Sequence, residues 1–246
     1  MANYVLVHGA MHGGWAWQKV AKLLQNAGHQ VFTPTLTGQG DRNHLLTPEV
    51  GVNTHLQDIE SLLYFEDLWD VVLVLHSYAG ILAGPLAQRC QQRLNTIVLA
   101  GGFYAYPGEA LQDIEPEKVV DYYKEQVTQN GDGWFLPATS SFLAQWAVCD
   151  KELQHFVAPR LTDFPYKCLA DRLDYNPQAL NALRRIYIEH TNPPLESLRY
   201  SIDRSIADGF QHLTIATGHD MMLADPEGTA ILLSKIAAPS FGHSVR

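Results

Sequence analysis

Cysteine is scarce in this sequence, and its placement excludes two architectures. Cys90, Cys149 and Cys168 are odd in number, far apart and form no CxxC pair. A disulfide framework and a cysteine zinc site are therefore disfavoured, and a reducing, cytoplasmic compartment is expected. No apolar run approaches the roughly 20 residues that a membrane span needs, and no basic segment with an apolar stretch behind it suggests a secretory signal. Positive charge is also short: 17 Lys and Arg stand against 26 Asp and Glu, for a formal net charge of −9. That balance repels phosphate backbones, so nucleic acid is not an expected partner. Internal repeats and low-complexity segments are missing as well. The composition that remains, 46% hydrophobic and 17% charged, excludes a disordered chain. At 246 residues the chain can bury a full α/β core without staples.

Apolar runs alternate with helical patterns at both ends. Tyr4–Val7, Gln30–Thr33, Val71–Leu75 and Thr96–Leu99 read as strands. Helices are expected from Trp15 to Ala27, from Asn53 or Thr54 to Phe65, and from Ala79 to Gln92. Strand signals return at Ile186–Ile188 and Leu213–Ala216, and a closing helix is expected over Pro226–Ala237. The tail from Pro239 is expected to fray. Alternation of this kind predicts a mostly parallel sheet flanked by helices, joined by right-handed crossovers. Between the two flanks the alternation stops. The organisation is a core in two parts, 1–102 and 181–246, split by a helical lid insertion over 103–180.

Three segments could carry chemistry. In Val71-Val72-Leu73-Val74-Leu75-His76-Ser77-Tyr78-Ala79-Gly80 a buried strand runs straight into a serine and a helix follows. That is the layout of a nucleophile elbow, which exposes Ser Oγ at the sheet edge above a helix N-terminus. The elbow pattern Gly-x-Ser-x-Gly is altered here, with Leu75 and Ala79 at the glycine positions. The plain alternative is a buried serine in an ordinary strand-to-helix turn. The second segment, Thr217-Gly218-His219-Asp220, places a histidine after the last strand and before the final helix, where the general base of such a fold sits. The third, His8-Gly9-Ala10-Met11-His12-Gly13-Gly14, follows the first strand. Its glycines let backbone approach a ligand, and the N–H groups of Ala10 and Tyr78 could form an oxyanion hole. A dinucleotide fingerprint needs another glycine spacing and an acidic residue after the second strand, which ends Val31-Phe32-Thr33-Pro34. No clustered metal-ligand spacing occurs, so neither cofactor nor metal is expected.

The segments VLVHGAMHGGWAW, GHQVFTPTLTGQGDR, LHSYAG and TGHDMMLADPEGTAILLSKIA together resemble the esterase and hydroxynitrile-lyase branch of the α/β-hydrolase superfamily. That branch includes plant methyl-ester esterases and bacterial pyrethroid-type carboxylesterases. The likeness covers about the first hundred residues and the last sixty. It implies the α/β-hydrolase fold, Ser77 as nucleophile, His219 as base, and Ala10 and Tyr78 as oxyanion donors. The family's acid falls at Asn192 or Pro193, with Glu189 and Glu196 as the nearest carboxylates. Where hydroxynitrile lyases carry threonine and lysine, this chain has Gly9 and Asp220.

The leading expectation is a serine hydrolase cleaving an ester or thioester of a hydrophobic or aromatic small molecule. A lyase, cyclase or decarboxylase acting on an aromatic or polyketide-like intermediate is the alternative. A binding protein that keeps the pocket with little turnover is the third. Trp134, Phe135, Phe142 and Trp146 are candidate pocket walls, or lid packing alone. A small hydrophobic substrate is the expected partner, without membrane attachment. A homodimer is compatible with the sequence.

Overall fold

In the computed structural model, which describes residues 1–237, the predicted strands assemble into one parallel sheet. The strands are β1 (Asn3–Val7), β2 (Gln30–Phe32), β3 (Val71–His76), β4 (Leu94–Ala100), β5 (Phe135–Leu136), β6 (Phe164–Pro165), β7 (Arg184–His190) and β8 (Gln211–Ile215). Six of them form the main sheet in the order β2-β1-β3-β4-β7-β8. Every neighbouring pair in it is parallel. β3 lies inside the sheet, and all of its residues are buried, as its unbroken VVLVLH run requires of a strand covered on both faces. Each fully buried Val or Leu there contributes about 1.5–3 kcal/mol.

The helices α1 (Gln18–Asn26), α2 (Val52–Phe65), α3 (Ala83–Cys90) and α4 (Glu117–Asn130) follow in chain order, and Pro226–Ala237 closes the described chain as expected. α1 buries Val20, Ala21 and Leu24 and packs on the closing helix, whereas α2 packs on α3. This grouping follows from right-handed crossovers running in opposite directions along the sheet. α1 stops at Gly28, whose φ of +86° suits glycine. Because β2 and β3 flank β1, connections leave β1 and β3 in opposite directions. A crevice therefore opens above the C-terminal ends of these two strands.

The middle of the chain differs from expectation in one respect. Beside its helices it carries a small antiparallel pair, with Phe135 opposite Pro165 and Leu136 opposite Phe164. Strands this short leave no readable alternation in a sequence. No helix among the described residues is long and apolar enough to cross a membrane. The fraying expected from Pro239 lies outside the described residues.

Candidate active site

β3 delivers Ser77 to the crevice with φ at +53°, in the left-handed region. A non-glycine residue held there stores about 1–3 kcal/mol, a cost that the surrounding packing must offset. Ser77 is 9% exposed, so it forms part of a cavity floor and not the open sheet edge that an elbow suggests. The loop after β1 crosses directly over it. A Cβ added at Gly9 would lie 2.6 Å from Ser77 Cβ and 3.2 Å from its Oγ, so only glycine fits that crossing without a shift. Leu75 and Ala79 are fully buried, and close backbone approach is met elsewhere. A Cβ at Gly80 would meet the Phe103 carbonyl oxygen at 2.4 Å, and one at Gly102 would meet that of Leu75 at 3.0 Å. The Phe103 N–H donates to the Ser77 carbonyl at 3.0 Å, pinning the turn against the loop after β4.

His219 reaches the serine from the loop after β8, with Nε2 2.9 Å from Ser77 Oγ. Its backbone N–H donates to the Trp146 carbonyl at 3.1 Å, so the insertion holds this loop. Its carbonyl accepts from His76 Nε2–H at 3.0 Å. Burial and the nearby rings of His76, His190 and His12 push the His219 pKa well below that of an ordinary histidine. The ring is therefore neutral at pH 7, with one of its two nitrogens able to accept a proton.

This pairing of strand-end serine and late-loop histidine coincides with a match that runs along nearly the whole chain. The family model described as "Alpha/beta hydrolase family" matches residues 4–231. The chain belongs to the α/β hydrolase family. It is 32% identical to the carbendazim hydrolyzing esterase of Nocardioides sp. (strain SG-4G), over 97% of this chain and 99% of that protein. It is 26% identical to salicylic acid-binding protein 2 of Nicotiana tabacum, over 96% of each. An extracellular α/β-hydrolase from a Paenibacillus species shares the fold, with a TM-score of 0.84 at 19% identity over 96% of this chain and 98% of that one.

In this α/β hydrolase the surroundings of His219 Nδ1 depart from the sequence-based expectation. Asn192 is exposed, and its backbone N–H donates to the Thr217 carbonyl at 3.0 Å. Neither its side chain nor any other described residue hydrogen-bonds to His219 Nδ1. Pro193 beside it is exposed and has no polar side chain to offer. Glu189 pairs with His212 at 3.0 Å, and Glu196 is exposed. The physical reason lies in β7: alternation turns Glu189 to one face and His190, the last strand residue, to the other. The His190 ring lies edge-on to His219, with centroids 5.0 Å apart. A Cβ added at Gly101 would sit 3.1 Å from His190 Nδ1 and 3.4 Å from His219 Nδ1, which shows how tightly the two rings converge.

The carboxylate buried among these rings is Asp220, which is 1% exposed. Its Oδ2 is 3.3 Å from His12 Nε2 and its Oδ1 is 3.9 Å from His76 Nε2. His12 also faces an acceptor with its other nitrogen, as Nδ1–H donates to the Ala10 carbonyl at 2.8 Å. Both nitrogens thus face acceptors, and Asp220 raises the His12 pKa against the opposing effect of burial. The pair at Nε2 is an ion contact without an aligned hydrogen bond. It ties the loop after β1 to the loop that carries His219. His76, His219 and Asp220 each offer a ligand atom within 4.8 Å of one another. His12, His190 and Asp220 escaped sequence reasoning as a cluster. Only the alternation of β7 and the Asp next to His219 could have signalled it.

The cavity above Ser77 and His219 holds about 480 Å³ of empty space, part of it open to solvent. Ala10 and Tyr78 line it with them. So do Phe142 and Trp146, whose rings stack at 5.4 Å. Trp134 and Phe135 are not among its walls and pack edge-on against each other at 4.9 Å. On β5 the strand period points Leu136 into the cavity and Phe135 away from it. Phe103, Tyr123 and Phe164 complete the aromatic wall. Phe164 packs against the Tyr78 ring at 4.9 Å, and the Tyr78 hydroxyl is held 2.9 Å from His55 Nδ1.

Proposed function

We propose that this α/β hydrolase is a serine esterase for a hydrophobic, aromatic small molecule joined by a carboxylic ester or thioester bond. The observation that carries the reading is the 2.9 Å approach of Ser77 Oγ to a neutral, buried His219 inside an apolar cavity. Ser77 Oγ attacks the substrate carbonyl while His219 Nε2 takes its proton. The N–H groups of Ala10 and Tyr78 donate to the oxyanion of the tetrahedral intermediate. The intermediate collapses, the bond to the leaving oxygen or sulfur breaks, and His219 returns the proton to it. Water, deprotonated by His219, then releases the acid from Ser77. The insertion serves as the lid over this cavity. The carbendazim hydrolyzing esterase to which the chain is 32% identical supports an ester substrate. Three unpaired cysteines support a reducing compartment such as the cytoplasm.

A fluorophosphonate probe tests the reading. Ser77 is expected to be the one residue labelled, with complete loss of turnover of an activated aryl ester at full labelling. Labelling elsewhere, or turnover that survives labelling, refutes it. Cyanohydrin cleavage by the hydroxynitrile-lyase route is less favoured, since Gly9 has no room for a threonine side chain beside Ser77 in this backbone.

Asp220 is the group proposed to offset the charge that forms on His219 during attack, acting through space and not by a hydrogen bond. At a separation within 4.8 Å the attraction is about 3 kcal/mol at an effective dielectric of about 20. His12 already neutralises part of that charge. Asp220→Asn is therefore expected to lower kcat/KM on an activated ester by about 10- to 100-fold. Asn192→Asp, at an exposed site that His219 does not touch, is expected to change it by less than about threefold. A large gain from Asn192→Asp would return position 192 to the catalytic machinery.

A further inference from the structure

One part of the cavity wall is not apolar. Glu115 lies just ahead of α4 and lines the same cavity as Ser77 and His219. The residue as a whole is partly buried, but its Oε2 is shut off from solvent and has no hydrogen-bond partner. Burial pushes the carboxyl up to about 7, and the Ser197 and Tyr123 hydroxyls beside it pull it partly back. Those two residues and Gln145 also line the cavity, so these polar groups form one patch apart from Ser77 and His219 in a chamber lined by aromatic and aliphatic side chains. No lysine or arginine among the described residues pairs with Glu115.

A buried acceptor without a partner is destabilising, more so when it carries charge. An apolar side chain of the same length would close this wall at lower cost. The mechanism proposed above makes no use of the group either. Ser197 and Tyr123 stand beside the carboxyl, but neither hydroxyl donates to Oε2, so this acceptor is open to a donor that enters with the substrate. The facing walls, Phe103, Phe142 and Trp146, suit a flat ring system.

We propose that Glu115 is the specificity-determining residue of this cavity, receiving an N–H donor on a planar aromatic or heteroaromatic part of the ester. The inference rests on the esterase reading for its chemistry but not for its contact. An aromatic ester lacking the donor leaves Oε2 desolvated and unpaired, and sites built this way discriminate against the analogue that lacks the polar group.

The experiment compares indol-5-yl acetate with 1-benzofuran-5-yl acetate, which have the same shape but carry N–H or O in the ring. The ratio of their kcat/KM values reads the contact, because both esters sample the same folded fraction of any variant. At pH 8.5, where a carboxyl near 7 is ionised, wild-type protein is expected to favour the indolyl ester by about 10- to 100-fold, as for a hydrogen bond to a charged group. Glu115→Leu should bring the ratio close to one. Glu115→Gln, which keeps an acceptor oxygen without charge, should retain part of the preference. A wild-type ratio near one, or the same ratio in wild type and Glu115→Leu, overturns the proposal. Calorimetric binding of 5-hydroxyindole and 5-hydroxybenzofuran reads the same contact without turnover. A preference there that Glu115→Leu removes, with neither ester hydrolysed, sustains the role of Glu115 and sinks the esterase reading alone. No preference in binding overturns the role of Glu115, whatever the turnover.

Discussion

Ser77→Ala should lower kcat/KM on activated aryl esters by about 10⁴-fold or more, the scale seen when a triad nucleophile is deleted. The substitution leaves Cβ in place and removes only Oγ, with its one contact to His219 Nε2. The backbone at φ +53° is as strained for alanine as for serine, so the fold gains no relief and loses little packing. The melting temperature should therefore stay within about 3 °C of wild type, since a change of about 1 kcal/mol shifts the midpoint by only a few degrees at this size. Activity against the same ester and a thermal melt check both halves. A variant that keeps a tenth of the wild-type rate would show that Ser77 is not the nucleophile.

Acid should unfold this protein cooperatively, and within a narrow range. Burial pushes His8 down to about 3, and His55, His76 and His190 down to about 4. Two of these rings use a bare nitrogen as an acceptor: His8 Nε2 receives the Leu36 N–H at 3.0 Å, and His55 Nδ1 lies 2.9 Å from the Tyr78 hydroxyl. Protonation breaks the first contact and reverses the second, since the Tyr78 hydroxyl must turn to accept. In the unfolded chain each histidine takes up its proton near 6.5, so the unfolded state binds more protons between that value and the folded one. Stability is thus fully present above about pH 6.5 and falls as pH drops towards 4, by about 1.4 kcal/mol per pH unit for each group. At pH 5 the four together cost about 8 kcal/mol, comparable to the whole stability of an ordinary domain. Glu115, pushed up to about 7, runs the other way and recovers part of this loss, and so does His12. The folded pKa of His12 is raised by Asp220, so its contribution is present at low pH and is lost as pH rises through that folded value. Urea unfolding measured from pH 7.5 to 4.5 checks the sum. The slope should correspond to uptake of three to four protons on unfolding near pH 5, and a flat profile would refute the buried neutral rings. Ester turnover should then fall with the fold, more steeply than the titration of one base allows.

What was legible in the sequence was local. The apolar runs of β3 and β4 can only be strands inside a covered sheet, and they placed Ser77 at a strand end without knowledge of its neighbours. His219 was found by its position after the last strand, a topological argument that needs no contact information. The rest depended on approaches between distant segments. The elbow pattern puts glycine where Leu75 stands, whereas the close contact here falls on Gly80 and Gly102. Asn192 was chosen by its place along the chain. The alternation of β7 instead sends His190 towards His219, and the carboxylate among the rings is Asp220, the residue after His219. Of four aromatic candidates in the insertion, Phe142 and Trp146 line the cavity, but Phe135 lies on the outward side of a two-residue strand too short to show its period.

The ties between the insertion and the loop after β1 bear on how the specificity of this enzyme could be changed. Thr162 donates its N–H to the Met11 carbonyl at 3.0 Å and accepts the Gly40 N–H on its hydroxyl at 2.8 Å, while the Trp146 carbonyl holds the His219 loop. The segment that lines the chamber thus also braces the loops that carry Met11, Gly40 and His219. Exchanging it wholesale for that of a relative would alter rate and selectivity together. Diversifying side chains around an unchanged backbone at Trp146 and Thr162 would let selectivity drift while turnover is kept.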